Sequence, residues 1–188
     1  MGTTPDPNLG TESGPSAVVE GGDPGGHVGV EVLTDAGPSD AGVALPGCAN
    51  GESLGPNGNC YAVVETLLPW ILARAICRSR GTGWDLVAIE DAPTNDLVGA
   101  LIADDAWVGG SDADAEGTWR WVRDESLFWL GNETGGPVDG AFNNWAAGEP
   151  NDRGDSDCVR VVAATARWAD LSCGELRRAV CEGPPALE

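Results

Sequence analysis

The chain has 188 residues, 41% of them hydrophobic, and a formal net charge of −20. The apolar fraction is sufficient for a core, and this length suits one folded domain with additional segments. The acidic balance excludes a nucleic-acid partner, which needs basic side chains against its phosphates. It also disfavours an anionic membrane surface. No stretch approaches the ~20 consecutive apolar residues of a membrane span, so no membrane insertion is predicted.

The first 47 residues hold eleven glycines, six prolines and seven acidic residues, but no basic or aromatic residue. A segment of this composition does not bury enough apolar surface to offset the entropy lost on ordering. We therefore predict that residues 1–47 form a flexible acidic tether. The alternating stretch at 27–34 is compatible with an edge strand as well as with an extended linker.

The folded domain is predicted to span residues 48–182, with residues 183–188 as a short tail. A turn-rich stretch at 48–61 is compatible with a hairpin between its two cysteines. Residues 69–81 predict a helix, because a proline suits the first helical position and a glycine suits the stop.

A strand at 84–90 and a second helix at 92–103 follow, the helix with Thr94 or Asn95 as possible N-cap. Residues 130–157 have no periodicity. The remaining strands are predicted at 106–112, 117–124, 158–162, 167–173 and 177–182. This order predicts an α+β domain with an antiparallel sheet.

Six cysteines, an even number, are spread through the predicted domain. Such a pattern predicts three disulfides and an oxidising compartment. Zinc binding is the alternative, although no CxxC pair occurs and the only histidine, His27, lies far from the cysteines in sequence. Because disulfides form in an oxidising compartment, we expect a secreted or cell-surface protein. The N-terminus lacks a basic-then-apolar signal, so we also expect that a leader was removed. All ten basic residues are arginine, which is typical of a GC-rich coding sequence and predicts a bacterial source.

The stretch at 149–157 places four carboxylates in nine positions: Glu149, Asp152, Asp155 and Asp157. Four explanations are open: a solvated acidic loop, a carboxylate pair for glycoside hydrolysis, a surface for a basic protein, and a hard-cation site. Calcium takes about six to eight oxygen ligands and accepts carboxylates and amides. The loop adds Asn151 and Ser156 to its four acids, so its residues suit calcium.

More oxygen donors lie in other segments, namely Asp112, Asp114, Glu116 and Asp170. Neither acidic stretch has the EF-hand spacing, so a calcium site here must be assembled from distant parts of the chain. If the bond before Pro150 is cis, the side chains of Glu149 and Asn151 can point the same way. Around one ion, this pair could hold two neighbouring sugar hydroxyls.

At this point the chain resembles the C-type lectin-like domain family, over about residues 48–182. The matching motifs occur in the family's order: WVGGSD at 107–112, EGTWRW at 116–121, NWAAGEPND at 144–152, DC at 157–158, WAD at 168–170 and CE at 181–182. Six cysteines allow 15 pairings by sequence alone. The resemblance implies Cys48–Cys60, Cys77–Cys181 and Cys158–Cys173.

The resemblance also implies Ca²⁺ as cofactor and, through the EPN motif at 149–151, mannose-type sugars as glycan partners. It assigns sugar contacts to Glu149, Asn151 and Asp170. The full predicted metal set is Asp112, Glu116, Glu149, Asn151, Asp152, Asp155, Ser156, Asp157 and Asp170, of which Asp112, Glu116, Asp152 and Asp157 match an auxiliary calcium site.

Two positions depart from the family pattern. Ala169 replaces the asparagine between Trp168 and Asp170, which removes one ligand that also touches the sugar. Ser156 replaces an acid two positions before the loop cysteine, and Asp155 is a possible substitute for that acid. These departures support the alternative function, a protein-interaction module in which calcium is only structural.

Most tryptophans are predicted to lie in the core, because tryptophan is mostly a buried residue with a polar handle. Trp129, at the start of the irregular region, is the one predicted to be exposed. The predicted domain contains no histidine, and its cysteines are expected to be paired, so neither residue type can act as nucleophile or base. We therefore predict that the protein is not an enzyme.

Overall fold

The structure is a computed structural model that describes residues 47–49 and 51–186. The chain divides into two units, 1–42 and 43–188. The predicted tether lies almost wholly outside the described residues, as does the possible edge strand at 27–34, and both stay predictions. Among the described residues, neither helix has the length and apolar content that a bilayer crossing requires.

The described residues form two helices and ten strands. The helices are α1 (Trp70–Ser79) and α2 (Ala92–Leu101). The strands are β1 (Ser53–Leu54), β2 (Cys60–Leu68), β3 (Asp85–Leu86), β4 (Ala106–Ser111), β5 (Thr118–Trp121), β6 (Ser126–Leu130), β7 (Gly136–Pro137), β8 (Cys158–Val162), β9 (Arg167–Leu171) and β10 (Arg177–Gly183).

The strands pair in the order β1-β2-β10-β4-β5-β6-β7, with β3 on β10, and with β8 joining β4 to β9. Every pairing is antiparallel except that of β4 with β10. The pairing of β4 with β8 sets Ser111 opposite Cys158. The two acidic stretches that follow β4 and precede β8 are therefore brought together by sheet register.

Both predicted helices form, but the predicted cap of α2 is wrong. Because α2 begins at Ala92, the cap falls on Asp91, whose Oδ1 accepts the backbone N–H of Thr94 at 2.7 Å. Thr94 and Asn95 are buried instead. Asn95 uses its Oδ1 to accept the indole N–H of Trp168 at 2.8 Å, which ties α2 to β9.

Several strand boundaries differ from the predictions. The long strand β2 extends well past the predicted hairpin at 48–61, and only Asp85–Leu86 of the predicted strand at 84–90 pairs. Strand β7 lies within the region predicted to lack regular structure. It is two residues long and pairs with the end of β6, so periodicity had little to detect.

Seven of the eight tryptophans are buried, and the eighth, Trp84, is partly buried. The predicted exposure of Trp129 is wrong: the residue is 8% exposed. Its ring packs edge-on against Trp145 with centroids 6.3 Å apart. Its indole N–H donates to the carbonyl of Gly131 at 3.1 Å, so the one polar group of this buried ring has a hydrogen-bond partner.

The three implied disulfides, Cys48–Cys60, Cys77–Cys181 and Cys158–Cys173, are confirmed. The second ties α1 to the last strand. The third joins the end of the acidic loop to the segment that follows β9. The loop is therefore covalently anchored at the end where its carboxylates are most crowded.

Candidate functional site

The acidic loop begins where the chain passes beside β9. The backbone N–H of Trp168 donates to the carbonyl of Asn144 at 2.9 Å, and the N–H of Ala146 donates back to the carbonyl of Trp168 at 2.8 Å. Trp145 is 7% exposed and packs against Trp119 and Trp168. Core packing therefore fixes the entry to the loop.

Glu149 and Asn151 lie side by side across a cis Glu149–Pro150 bond. The Nδ2 of Asn151 donates to Oε2 of Glu149 at 2.6 Å. The Oδ1 of Asn151 accepts the backbone N–H of Arg153 at 3.0 Å. The carboxylate of Glu149 and the amide of Asn151 thus form one polar edge, called the Glu149 edge below, with hydrogen bonds made within the loop.

Asp170, near the end of β9, holds the turn of the loop in place. Its Oδ2 accepts the backbone N–H groups of Asn151 at 2.8 Å and Asp152 at 2.5 Å. The residue is 6% exposed, and its Oδ1 has no hydrogen-bond partner among the described residues. Burial and the neighbouring Asp170 carboxylate raise the pKa of Glu149 to about 8.

The two departures from the family pattern lie beside this edge. Ser156 is buried, and its hydroxyl donates to the carbonyl of Arg153 at 2.8 Å. Ala169 is buried in β9 opposite Arg160 and offers no side-chain oxygen. Of the residues predicted around the sugar-binding ion, Glu149, Asn151 and Asp170 supply side-chain oxygens here.

A second group of carboxylates forms where the segment after β4 meets the end of the loop. Single carboxylate oxygens of Glu116, Asp152 and Asp157 all lie within 4.8 Å of one another. Asp112 is not one of these three, but it lies beside them: the charges of Glu116 and Asp157 raise the pKa of its carboxyl group, and its backbone N–H donates to the carbonyl of Asp157 at 3.2 Å. These four residues, Asp112, Glu116, Asp152 and Asp157, are called the acidic cluster below.

Two oxygens of the acidic cluster are buried without a partner in the described part of the chain: Oδ1 of Asp112 and Oδ1 of Asp157. Asp112 is only 2% exposed, and its other oxygen accepts the backbone N–H of Gly117 at 2.8 Å. Buried polar atoms normally have a partner, so unpartnered carboxylate oxygens in a group of acids are positions that suit a cation. The donor set fits a hard divalent ion.

The pKa values of the acidic cluster agree with this interpretation. Burial, with the charges of Glu116 and Asp157, raises the pKa of Asp112 to about 7. Loss of hydration and the charges of Asp152 and Asp157 raise the pKa of Glu116. Loss of hydration and the charges of Asp155 and Asp152 also raise the pKa of Asp157.

The two other predicted acids lie at the periphery. Asp155 is exposed and has a left-handed backbone conformation with φ of +64°, which aspartate tolerates better than most residues. Its charge acts on Asp157, but its carboxylate is not one of the three within 4.8 Å of each other. Asp114 is also exposed.

A cleft of about 300 Å³ opens beside the acidic cluster. Its walls include Asn132, which the sequence analysis did not consider for the site. The signal for Asn132 was weak, because it is an isolated asparagine in a turn about twenty residues before the acidic loop. Register through β5 and β6 brings that turn next to Gly117 and Glu116: Gly131 N–H donates to the carbonyl of Gly117 at 2.8 Å.

The Lectin C-type domain family model matches residues 66–183. The chain belongs to the C-type lectin domain family. C-type lectin domain family 4 member M of Hylobates lar is 31% identical over 133 residues, which are 69% of this chain and 30% of the relative. Halomucin of Haloquadratum walsbyi is 31% identical over 101 residues, which are 50% of this chain and 1% of the relative.

Solved C-type lectin domains share the fold. The carbohydrate-recognition domain of cow CD23, determined in the presence of a GlcNAc2Man3 oligosaccharide, is 29% identical, with a TM-score of 0.62 over 74% of this chain and 98% of that one. A calcium-independent type II antifreeze protein is 26% identical, with a TM-score of 0.61 over 74% of this chain and 95% of that one. The C-type lectin fold is generally a non-enzymatic binding domain.

Proposed function

We propose that the chain is a secreted or cell-surface module that binds carbohydrate with the help of calcium, with mannose-type sugars as ligands. A carbohydrate-binding, lectin-like module is the function that the family supports. The chain spans under a third of the length of the first relative, so the activity of any larger protein is part of this proposal. The bacterial source also stays a prediction.

The observation that carries the calcium requirement is the pair of buried, unpartnered oxygens on Asp112 and Asp157. Calcium bound by the acidic cluster would give both oxygens a partner and cancel the repulsion among the four carboxylates. Because Asp112 follows β4 and Asp157 ends the loop, one ion would also link the two segments. When bound, calcium supplies fixed positive charge and coordination positions for oxygen ligands.

The proposed sugar contacts are Glu149 and Asn151, with Asp170 behind them. A carboxylate accepts hydrogen bonds and an amide both donates and accepts, so the pair suits the two hydroxyls of a vicinal diol. In the structure, Nδ2 of Asn151 donates to Oε2 of Glu149 at 2.6 Å. Ligand binding therefore requires that this hydrogen bond be exchanged for bonds to the sugar.

The test is a glycan array probed with the folded protein in calcium and in EDTA. We expect binding to mannose-containing glycans in calcium, and its loss in EDTA. Glu149→Gln should abolish that signal, whereas Glu133→Gln, which removes an exposed carboxylate from a nearby turn, should leave it intact. Calcium-independent binding, or equal binding by the two variants, would contradict the proposal.

The second candidate, a protein-interaction module with structural calcium, is favoured by Ala169 and Ser156. Ala169 has no side-chain oxygen and Ser156 has only a neutral hydroxyl, so an ion at the Glu149 edge has weaker ligands than the family pattern provides. Ala169→Asn restores the missing amide. If sugar is the ligand, this variant should bind mannose more tightly in calcium; no gain, together with a silent glycan array, favours the interaction module.

A further inference from the structure

A large groove lies at the opposite end of the β4–β8 strand pair from the acidic cluster. The two strands are antiparallel, and Ser111 lies opposite Cys158 at the end where the acidic cluster forms. Ala106 lies opposite Val161 at the other end, so the segments that precede β4 and follow β8 meet there. The six residues of β4 separate the two ends by about 17 Å.

This groove has a volume of about 810 Å³ and lies where α2, β2 and β8 end and where β4 and β10 begin. We call it the base groove, and its apolar walls are Leu67, Ile102, Ala103, Ala163, Ala164 and Leu176. Leu67 is 55% exposed and Leu176 is 51% exposed, although both are large apolar side chains. Exposed apolar side chains that border a recess are typical of a surface that another protein covers.

The charges around the base groove are nearly balanced, unlike those of the whole chain. Four acidic and three basic side chains form ion pairs along its rim: Glu65, Asp104, Asp105 and Glu175 with Arg160, Arg177 and Arg178. Four negative and three positive charges sum to −1, whereas the chain carries −20. A basic partner would be attracted to the acidic surfaces elsewhere on the chain and not to this balanced rim.

The base groove has the properties of a surface that binds a second copy of itself. A two-fold interface sets the same patch of both copies face to face, so the patch must complement itself. In shape it does, because two exposed leucines, Leu67 and Leu176, border a recess lined by small residues such as Ala164. In charge it does as well, because the carboxylate of Asp104 is 68% exposed beside Arg178 and remains accessible to the same arginine of a second copy.

We propose that the base groove is the interface of a homodimer, in which Leu67 and Leu176 of each copy pack into the groove of the other. The dimer requires neither calcium nor sugar, so it is independent of the proposed function. Because the acidic cluster lies at the far end of β4, the interface leaves this cluster open in both copies. One consequence rests on the proposed function: a dimer would hold a polymer of mannose at two points and dissociate from it more slowly than a monomer.

Sedimentation equilibrium of the full chain in EDTA tests the dimer without metal or sugar. The salt should be about 0.15 M NaCl, which screens the repulsion between the two negatively charged chains. We expect a monomer–dimer equilibrium with a Kd on the order of 10 µM. Leu176→Arg and Ala164→Arg place a charge in the base groove from two distant segments, and each should raise this Kd by at least about tenfold, because the charge would be buried without a partner.

Leu54→Arg is the matched control, because Leu54 is 60% exposed and pairs with Cys60 at the opposite end of β2 from Leu67. It introduces the same charge and should leave the dimer Kd unchanged. All three substituted side chains are exposed, so each variant should keep the Tm of the unsubstituted monomer within about 3 °C. Measuring the Tm well below the dimer Kd separates loss of the dimer from loss of the fold.

A chain that stays monomeric up to about twenty times the expected Kd overturns the homodimer, as does a dimer that Leu54→Arg and Leu176→Arg weaken equally. A dimer that only the base-groove variants weaken supports it. Dissociation from a mannan-coated surface in calcium then tests the consequence: Leu176→Arg should leave the surface faster than the unsubstituted chain, and equal rates would contradict two-point binding. If neither protein binds mannan, the proposed function is wrong, while the sedimentation result, which involves no sugar, still decides the homodimer.

Discussion

Two buried carboxylates, Glu182 and Asp112, lie in opposite electrostatic environments. Glu182 is 1% exposed and Asp112 is 2% exposed. The protein surrounds Glu182 with hydrogen-bond donors from separate segments: Asn57 at 2.8 Å, Asn59 at 2.7 Å, Tyr61 at 3.1 Å, the backbone N–H of Ala88 at 3.2 Å and the guanidinium of Arg123 at 2.6 Å. Asp112 has a backbone donor on one oxygen only.

Their pKa values differ accordingly. Burial alone would raise the pKa of Glu182, but Arg123 and Asn59 outweigh it and lower the pKa below its usual range. Burial and neighbouring acids raise the pKa of Asp112 to about 7. The fold completes the environment of the first carboxylate from its own residues and leaves one oxygen of the second without a partner among the described residues, which is where we propose that calcium binds.

The largest expected effect on stability comes from removing the buried carboxylate of Glu182. Glu182→Ala leaves Arg123 and several donors without their acceptor, and we expect the free energy of unfolding to fall by about 3 kcal/mol. Glu65→Ala is the control, since Glu65 pairs with Arg178 but its side chain is 73% exposed. It should cost less than about 1 kcal/mol. If urea denaturation gives the same loss of unfolding free energy for both variants, the contrast between the buried Glu182 and an exposed carboxylate is wrong.

The second prediction concerns calcium. At a calcium concentration about 100 times the Kd, the folded state should gain about 2.7 kcal/mol, which raises the Tm by about 5–10 °C for a chain of this size. Asp112→Asn should abolish this gain without destabilising the metal-free protein at pH 8, since it removes an unpaired buried charge. A calcium effect that survives in Asp112→Asn would exclude Asp112 as a ligand.

The third prediction is the pH dependence of stability, which has opposite signs in the two regions. The folded pKa values of Asp112 and Glu149, about 7 and about 8, lie above their ordinary values of 3.8 and 4.5. The metal-free protein should therefore lose stability as pH rises from about 4 to 8. Glu182 has a lowered pKa, so its contribution is lost as pH falls below its ordinary value of 4.5.

Calcium competes with the protons on these raised acids, so its affinity should increase from pH 6 to pH 8, by about tenfold per pH unit for each proton displaced. Calorimetric titrations at several pH values measure this slope. A flat profile would mean that calcium does not bind at the groups that titrate in this range.

The smallest effect is expected at Arg153, whose charge lowers the pKa of Glu149 against the larger effect of burial. Arg153→Ala should produce a small further rise in that pKa, measured by NMR titration of the metal-free protein. Arg78→Ala removes an equal charge from an exposed position on α1 and should leave Glu149 unchanged. If both variants shift Glu149 equally, net charge rather than proximity is responsible.

Many helices and strands and all three disulfides could be predicted, because short local patterns or motifs of the family indicate them. The helix after Pro69 and the strand at 158–162 follow from short patterns, whereas the cysteine pairing follows from the resemblance to the family. Trp129 was misplaced because its burial depends on Trp145, a residue sixteen positions away. The long strand β2 was missed because its pairing with β10 spans the whole domain.

The residues of the site also divide into those visible in local sequence and those that depend on contacts between distant segments. Its acids were visible as charge clusters, since like charges in a short stretch stand out in any sequence. The position of Asn132 beside the acidic cluster was not visible, because only the pairing of β5 with β6 brings its turn beside Glu116. The hydroxyl of Ser156 could be counted as a possible ligand from the sequence, but its hydrogen bond to the carbonyl of Arg153 could not be predicted.

The most direct test of the account is a calorimetric titration of EDTA-treated protein with calcium, run beside Asp157→Asn. The account predicts saturable binding, with a Kd of about 10⁻⁴ M, that is lost in the variant. A protein that takes up no calcium, and whose Tm is the same in calcium and in EDTA, would contradict the claim that a cation completes the acidic cluster.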